Sequence, residues 1–410
     1  MIFYIMEFAE QKINFGTGYA FGEDKRTDMK VLILSCNTGE GHNSAARALK
    51  SHLLAQKIGC MVTDTLSLAG SSVSQNVSDL YLYSTRTNLF KYLYSIGSIV
   101  SDFLDKVKSP VYLWNRSYSD KLNNYIISNG FDAVICVHLF PAQAMSALKT
   151  SGKTDIPTIF VMTDYTCIPF LDETSLDGYV IPHEHLIEEF VSNGIPREKL
   201  YPFGIPIDSI FFDSVSRLEA KKKVAEDFGW NIPAWKNWFL LMTGSMGFGN
   251  TQEIIDETVR ISPKGTEIIA VCGRNERMLK QLQEENIDTK SVHPIGYTDR
   301  IPLLMDACDV LFTKPGGISS TEAMSKHIPI IHTAPIPGCE TRNAEFFHYH
   351  GMSYSCTDTK QQVRTALKLC EDMDYRTTMT GAQQQNARPD TCRNIESLIT
   401  EQLIYNSSSL

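Results

Sequence analysis

This sequence predicts an α/β protein of two doubly wound domains facing a central cleft, and three observations carry the prediction. The chain has 410 residues, more than a single core usually encloses. Short apolar runs alternate with stretches of helical spacing, as buried parallel strands and their crossover helices do, and the series restarts at Trp238. Each series opens with a strand running into a glycine-bearing turn, Gly39-Glu40-Gly41-His42 in the first and Gly244-Ser245-Met246-Gly247 in the second. In open sheets of this kind ligands sit beyond the carboxyl ends of the strands, so both turns are expected to face the cleft.

Val31 to Ser35 is the expected first strand, and Ala46, Leu49 and Leu53 recur at helical spacing within the following Ala45 to Gln56. Ala133 to His138, Thr158 to Met162 and Gly178 to Ile181 read as further strands, with helices over Pro141 to Lys149 and His185 to Asn193. The Gly/Pro cluster Phe203-Gly204-Ile205-Pro206-Ile207-Asp208 reads as an interdomain linker, setting domains at 29–207 and 208–410. In the second half strands are expected at Trp238 to Met242, Glu267 to Cys272, Val292 to Pro294, Val310 to Thr313 and Pro329 to Thr333. Helices are expected at Asn250 to Arg260, Glu276 to Glu285, Ile301 to Ala307 and Ser319 to Ser325, and the last helix of the chain is expected to pack back on the first domain.

Composition excludes several classes. Hydrophobic residues make up 43% and charged residues 21%, as in ordinary globular proteins. A net charge of −9 argues against nucleic acid as a partner, because tracking phosphates needs an excess of Lys and Arg. The 10 cysteines form no CxxC pair, so neither a zinc site nor a disulfide framework is suggested. No run approaches the roughly 20 apolar residues needed to span a bilayer. Glu7, Glu10 and Lys12 interrupt the apolar residues of segment 1–28, which reads as an extension or a mis-assigned start rather than a signal peptide. Asp79 to Lys121 departs from the βα pattern. Its aromatics and cations, among them Tyr92, Lys106, Lys108, Tyr112, Trp114 and Arg116, suit either a membrane interface or an insert packed on its own domain.

Four stretches carry chemistry. The closely spaced glycines Gly39 and Gly41 let a substrate approach backbone amides, and His42 beside them is placed either as a general base or as a solvated loop histidine. The Thr243 to Gly249 turn offers amides and a helix dipole to a diphosphate. In Thr313-Lys314-Pro315-Gly316-Gly317-Ile318-Ser319-Ser320-Thr321-Glu322 a strand enters a double-glycine loop. Ser319 or Ser320 is expected to cap the next helix, with Glu322 in its first turn either complementing the dipole or accepting both ribose hydroxyls of a nucleotide. Pro335 to Ala344 reads as a loop in which Glu340, Arg342 and Asn343 can discriminate sugar hydroxyls, and nothing in it resembles a metal cage.

Taken in order from Lys30 to about Asn394, the set Gly39-x-Gly41-His42, Thr163-Asp164, Gly204-Ile205-Pro206, Val271-Cys272-Gly273-Arg274-Asn275, Gly296-Tyr297, Lys314-Pro315-Gly316-Gly317 with Glu322-Ala323, and Pro337-Gly338-x-Glu340-x-x-Asn343 resembles the monogalactosyldiacylglycerol synthase and processive diacylglycerol glucosyltransferase family. That family shares its plan with the bacterial lipid II N-acetylglucosaminyltransferase. The resemblance implies a glycosyltransferase-B fold of two Rossmann-like domains and an inverting transfer of glucose or galactose from a UDP-sugar to diacylglycerol. It implies no metal or other cofactor, and peripheral attachment to anionic lipid on the cytoplasmic face of the membrane. It places His42 as base or as partner of the transferred group and Asp164 on the acceptor side. It assigns Gly244, Ser245 and Met246 to the diphosphate, with Gly316 and Gly317 also on the donor side. Gly273, Arg274 and Tyr297 fall around uracil, Glu322 at ribose, and Glu340 and Asn343 at the hexose.

Two departures bear on specificity. The family commonly has Gln where this chain has Cys339, which replaces an amide able to bond a sugar hydroxyl with a weak donor. It commonly has His where this chain has Ile168. Two other functions stay open at this stage: transfer of an N-acetylhexosamine to a polyprenyl-linked acceptor, and nucleotide-sugar binding without turnover.

Overall fold

The computed structural model describes residues 28–36, 40–69, 108–242, 250–262 and 265–404. These form two six-stranded sheets in which every pairing is parallel. The first holds β1 (Lys30–Ser35), β2 (Gly59–Asp64), β3 (Ala133–Cys136), β4 (Thr158–Val161), β5 (Gly178–Val180) and β6 (Leu200–Tyr201) in the order β2-β1-β3-β4-β5-β6. The second holds β7 (Asn237–Met242), β8 (Thr266–Val271), β9 (Val292–Ile295), β10 (Val310–Thr313), β11 (Ile330–His332) and β12 (Tyr354–Ser355) in the order β12-β11-β10-β7-β8-β9. This is the doubly wound pair that the alternating runs predicted.

The helices of the first half are α1 (Glu40–Ala55), α2 (Thr65–Ala69), α3 (Pro110–Ser117), α4 (Ser119–Asn129), α5 (Leu139–Thr150) and α6 (Ile187–Ser192). Those of the second are α7 (Arg217–Phe228), α8 (Thr251–Ile261), α9 (Glu276–Glu285), α10 (Ile301–Ala307), α11 (Gly317–Ser325), α12 (Cys339–Tyr349), α13 (Thr359–Glu371), α14 (Met373–Asn386) and α15 (Thr391–Ser397). Local chemistry sets their ends. Asn275 Oδ1 accepts from Met278 N at 3.0 Å to start α9, while Gly130 (φ 61°) and Gly229 (φ 67°) end α4 and α7 in the left-handed conformation that lacks a penalty only for glycine.

Both sheets are covered on two faces, so Val31 to Leu34 and Phe239 to Leu241 are buried without alternation. The chain crosses back at its end. Ile395, Leu398 and Ile399 join Val31, Ile33, Leu49 and Leu53 in one cluster, and His52 Nε2 lies 2.8 Å from Glu396 Oε2. Residues 203–208 are clasped by this returning segment: Thr391 Oγ1 donates to Phe203 O at 2.7 Å, and Gly204 adopts φ 105° against Arg388 and Thr391. A Cβ there would lie 2.6 Å from Thr391 Oγ1 and 2.8 Å from Arg388 Cβ. Gly204→Ala is therefore expected to cost about 1–3 kcal/mol in backbone strain alone, lowering Tm and hastening proteolytic release of the C-terminal segment. An unchanged Tm would show that the clasp contributes nothing.

Three expectations are corrected. Pro335 to Ala344 is not all loop, because α12 begins at Cys339 behind Gly338, whose φ of 115° a side chain would resist. Ser319 and Ser320 do not cap α11. Its N-cap is Gly316, and Ser320 lies inside the helix with its hydroxyl 3.0 Å from His332 Nε2. With α11 starting at Gly317, Glu322 falls in the second turn, beyond the end of the dipole it was expected to complement. Of the aromatic, cationic segment, residues 79–107 lie outside the described residues; in the described remainder Tyr112 is buried and Trp114 packs against the core.

Candidate functional site between the two sheets

Strand order reverses between β1 and β3 in the first sheet and between β7 and β10 in the second, which opens a crevice at each point. In the first crevice α1 starts at Glu40, so Gly41 and His42 lie in its first turn. Beside them His138 caps α5, its Nδ1 accepting from Phe140 N at 3.1 Å. The two imidazoles meet edge to face with centroids 4.7 Å apart. His42 Nδ1 lies 2.8 Å from Val137 O and 3.2 Å from Thr163 Oγ1. A carbonyl can only accept, so this geometry assigns the proton to Nδ1 and leaves Nε2 basic. Burial lowers the pKa of His42, against an opposing pull from Asp164, and burial followed by the neighbouring His42 drives His138 well below the ordinary range.

In the second crevice Met242 pairs with Thr313, so β7 and β10 end side by side. Gly244, Ser245 and Met246, like Gly39, lie outside the described residues. The turns after β8 and β9 meet as a platform: Gly273 takes φ 57°, and the Arg274 guanidinium sits over the exposed Tyr297 ring, 5.4 Å from its centroid. Arg274 also reaches Glu40 on α1, Nη1 to Oε1 3.5 Å, and Glu40 Oε2 lies 3.3 Å from Arg47. The three charges are exposed, so they add little to stability.

Glu322 lines a cavity of about 450 Å³ shared by α1, through Ser44, Arg47 and Lys50, and by Ile207 and Asp208. Burial pushes its carboxyl up to about 8, with Asp208 raising it further and Arg47 lowering it. The group is thus protonated at neutral pH and can donate as well as accept. On α12, Glu340 Oε1 lies 3.0 Å from Lys314 Nζ, and its Oε2 accepts from Ile336 N at 2.7 Å.

Asn343 is fully buried, and its amide is spent on protein. Oδ1 accepts from Tyr165 N at 2.6 Å, while Nδ2 donates to Asp164 Oδ1 at 2.7 Å and to Pro315 O at 2.9 Å. Its Oδ1 and one N–H thus tie the two halves of the molecule together, through Tyr165 and Asp164, while the other N–H stays within its own half at Pro315 O. Arg342 is exposed and pairs with Glu345 on its own helix at 3.1 Å. Gly317 lies directly against the Thr163 carbonyl, so His42, Thr163, Asp164, Gly317 and Asn343 form one constellation across the cleft.

Tyr165 and His138 carried no role in the sequence reading. His138 was findable, since it follows the strand that neighbours β1 across the switch point; Tyr165 was not, because only folding brings it to α11 and α12.

The family model described as monogalactosyldiacylglycerol (MGDG) synthase matches residues 42–207. The chain is 26% identical over 388 residues to the processive diacylglycerol beta-glucosyltransferase of Bacillus pumilus (strain SAFR-032), covering 93% of this chain and 96% of that one. A second relative of the same name, from Bacillus thuringiensis (strain Al Hakam), is 26% identical over 91% of this chain and 94% of its own. Among solved structures, Acinetobacter baumannii MurG superposes with a TM-score of 0.60 at 13% identity, over 91% of this chain and all (100%) of that one. Anabaena HepE in complex with UDP and glucose superposes with a TM-score of 0.56 at 13% identity, over 93% and 100%. At such identities the structural likeness establishes the fold, that of glycosyltransferase-B enzymes. The family match over residues 42–207 and the nearly end-to-end likeness to the Bacillus enzymes make the chain similar to the monogalactosyldiacylglycerol synthase family of hexosyltransferases.

Proposed function

We propose that this enzyme transfers a hexose from a UDP-sugar to diacylglycerol with inversion at the anomeric carbon. The observation that carries the proposal is the tautomer of His42: Nδ1 is held by Val137 O at 2.8 Å, which leaves Nε2 as a base in the cleft between the sheets. The acceptor hydroxyl oxygen forms a bond to the anomeric carbon while the bond from that carbon to the β-phosphate oxygen breaks. The hydroxyl proton passes to His42 Nε2, and UDP leaves with the electron pair. Asp164, whose charge acts on His42, favours the imidazolium that forms. The diphosphate charge falls to the positive dipole end of α11 at Gly316 and Gly317, and to Gly244, Ser245 and Met246. Uracil is read by the Gly273, Arg274 and Tyr297 platform, and the hexose by Glu340. The names of the Bacillus relatives support diacylglycerol as acceptor and glucose as the sugar.

No described helix is long and apolar enough to cross a membrane. The lipid acceptor is therefore proposed to be met by peripheral attachment of the first domain to anionic lipid at the cytoplasmic face, where Leu113, Arg116 and Ile127 are exposed on α3 and α4.

Thin-layer chromatography of reactions holding purified enzyme, diacylglycerol liposomes and radiolabelled UDP-glucose, UDP-galactose or UDP-N-acetylglucosamine tests the whole reading. A labelled glycolipid from UDP-glucose is the expected result, and no glycolipid from any donor would sink it. Glu322 gives a narrower test by titration calorimetry with UDP. A carboxyl protonated below about 8 resembles an amide, so Glu322→Gln should keep UDP affinity within about threefold at pH 7. Glu322→Ala should lose about tenfold or more, the worth of one hydrogen bond to a charged or buried group. Equal losses in both variants would remove Glu322 from the ribose.

A further inference from the structure

Tyr165 follows Thr163 and Asp164 on the loop after β4, and it leaves its own domain. Its ring is 4% exposed and is inserted between α11 and α12. It stacks on Phe346 with centroids 4.9 Å apart and planes 29° from parallel, and it meets Phe347 edge on, also at 4.9 Å. Its backbone N–H donates to Asn343 Oδ1 at 2.6 Å. Thr321 Oγ1 donates to Gly317 O at 2.7 Å, so the Tyr165 hydroxyl, 3.0 Å away, donates to Thr321 Oγ1. Every polar atom of the residue that points across the boundary is thus paired with the opposite domain. A buried aromatic with paired polar atoms is the kind of anchor that dominates an interface.

The position of this anchor matters because of its two neighbours in sequence. Thr163 Oγ1 lies 3.2 Å from His42 Nδ1, and Asp164 Oδ1 accepts from Asn343 Nδ2 at 2.7 Å. Three consecutive residues therefore run from the imidazole in the first crevice to the helix starts of the second. Neither α11 nor α12 can move away from His42 without withdrawing the Tyr165 ring from its socket.

We propose that Tyr165 is a positioning residue that holds the cleft closed on the reacting groups, and so determines whether the hexose passes to the lipid hydroxyl or to water. The inference rests on the transferase reading above. With Tyr165 seated, the distance from His42 to the donor is fixed and bulk water is kept out. With the ring removed, the cleft opens around bound donor. Water oxygen then bonds to the anomeric carbon, the bond to the diphosphate oxygen breaks, and free hexose and UDP leave with the water proton passed to His42 or solvent.

The test measures two products from one reaction, labelled glycolipid and labelled free hexose, for wild type, Tyr165→Ala, Tyr165→Phe and Phe346→Ala. Tyr165→Ala is expected to lower kcat for transfer by about 10- to 100-fold, the scale of a 1 Å misplacement. The ratio of hydrolysis to transfer should rise by about tenfold, while UDP affinity, whose proposed contacts lie on the second domain, changes by less than about threefold. Tyr165→Phe keeps the stacked ring and should restore the wild-type ratio to within about threefold. Should Tyr165→Ala fail to fold, Phe346→Ala removes the stack from the opposite side and is expected to raise the ratio in the same direction. A ratio unmoved in a folded Tyr165→Ala or Phe346→Ala overturns the inference while leaving the transferase reading intact. A wild-type enzyme that makes neither product overturns both.

Discussion

Replacing His42 by alanine is expected to lower kcat by about three orders of magnitude, within the range a general base contributes, and to leave UDP affinity unchanged. The expectation follows from where the proton sits. Val137 O fixes Nδ1 as the donor, so Nε2 is the basic nitrogen of the neutral ring, and the proposed mechanism needs no tautomer change before each turnover. The pH profile supplies an independent check. Burial lowers the His42 pKa below its ordinary 6.5 more than Asp164 raises it, so the base stays competent as pH falls through 6.5. The acid limb of kcat/KM should therefore lie below 6.5 in the wild type and be absent from the residual activity of His42→Ala. Full turnover by that variant, or an acid limb above 6.5, would take His42 off the catalytic list.

Burial of neutral histidines also sets the acid stability of the fold. His183 is held down to about 4 and His332 to about 3, both chiefly by burial. A depressed histidine means that the unfolded chain binds more protons than the native one below 6.5. The stabilisation is complete above 6.5 and is lost as pH falls toward these values. His332, between Ser320 and Ser353 hydroxyls at 3.0 and 3.1 Å, lies under the double-glycine loop, so acid loosening would reach the donor side of the cleft.

The strands were legible because parallel strands buried on both faces are continuous apolar runs, which Val31 to Ser35 and Val310 to Thr313 display without ambiguity. Helices whose apolar stripe is thin were harder to read. α14 carries Thr, Gln or Asn at half of its positions and is held by Gln383, whose amide donates to Ile328 O and Met352 O at 2.9 Å; no periodicity announces such a helix. α12 was hidden by the Pro and Gly that precede it. In the candidate site, His42 stood out from its own glycine-bearing turn, whereas Arg274 was named only through the family resemblance. The bonds that Asn343 and Tyr165 make across the boundary could not be read, because their partners stand 179 and 156 residues away in sequence and meet them only once the two sheets face each other.

That juxtaposition makes Gly317 the site of the second large effect. It is the first residue of α11 and does not take a left-handed φ, so alanine suits the local backbone and would stabilise by about 0.4–1 kcal/mol through the unfolded chain. A Cβ added there, however, would lie inside contact distance of Thr163 O, 2.9 Å from Thr163 C and 3.1 Å from Asp164 Cα. All three atoms are backbone, so no side chain can swing aside. The second domain must withdraw from the loop that carries Thr163, Asp164 and Tyr165, and His42 then loses its set distance from the donor. Gly317→Ala should thus hold or slightly raise the stability of its own domain while lowering kcat by about 10²-fold or more. Small-angle scattering should report a larger radius of gyration. The sign opposition is diagnostic, since a damaged fold would lower Tm and activity together. Gly316→Ala separates the remaining possibility. Its Cβ would meet no atom of the described residues within 4 Å beyond its chain neighbours, so activity it loses with an unchanged radius of gyration measures contact with the donor rather than closure. Wild-type turnover by Gly317→Ala would mean that the reaction proceeds with the domains further apart than they stand in this structure, and that closure at Thr163 is not part of catalysis.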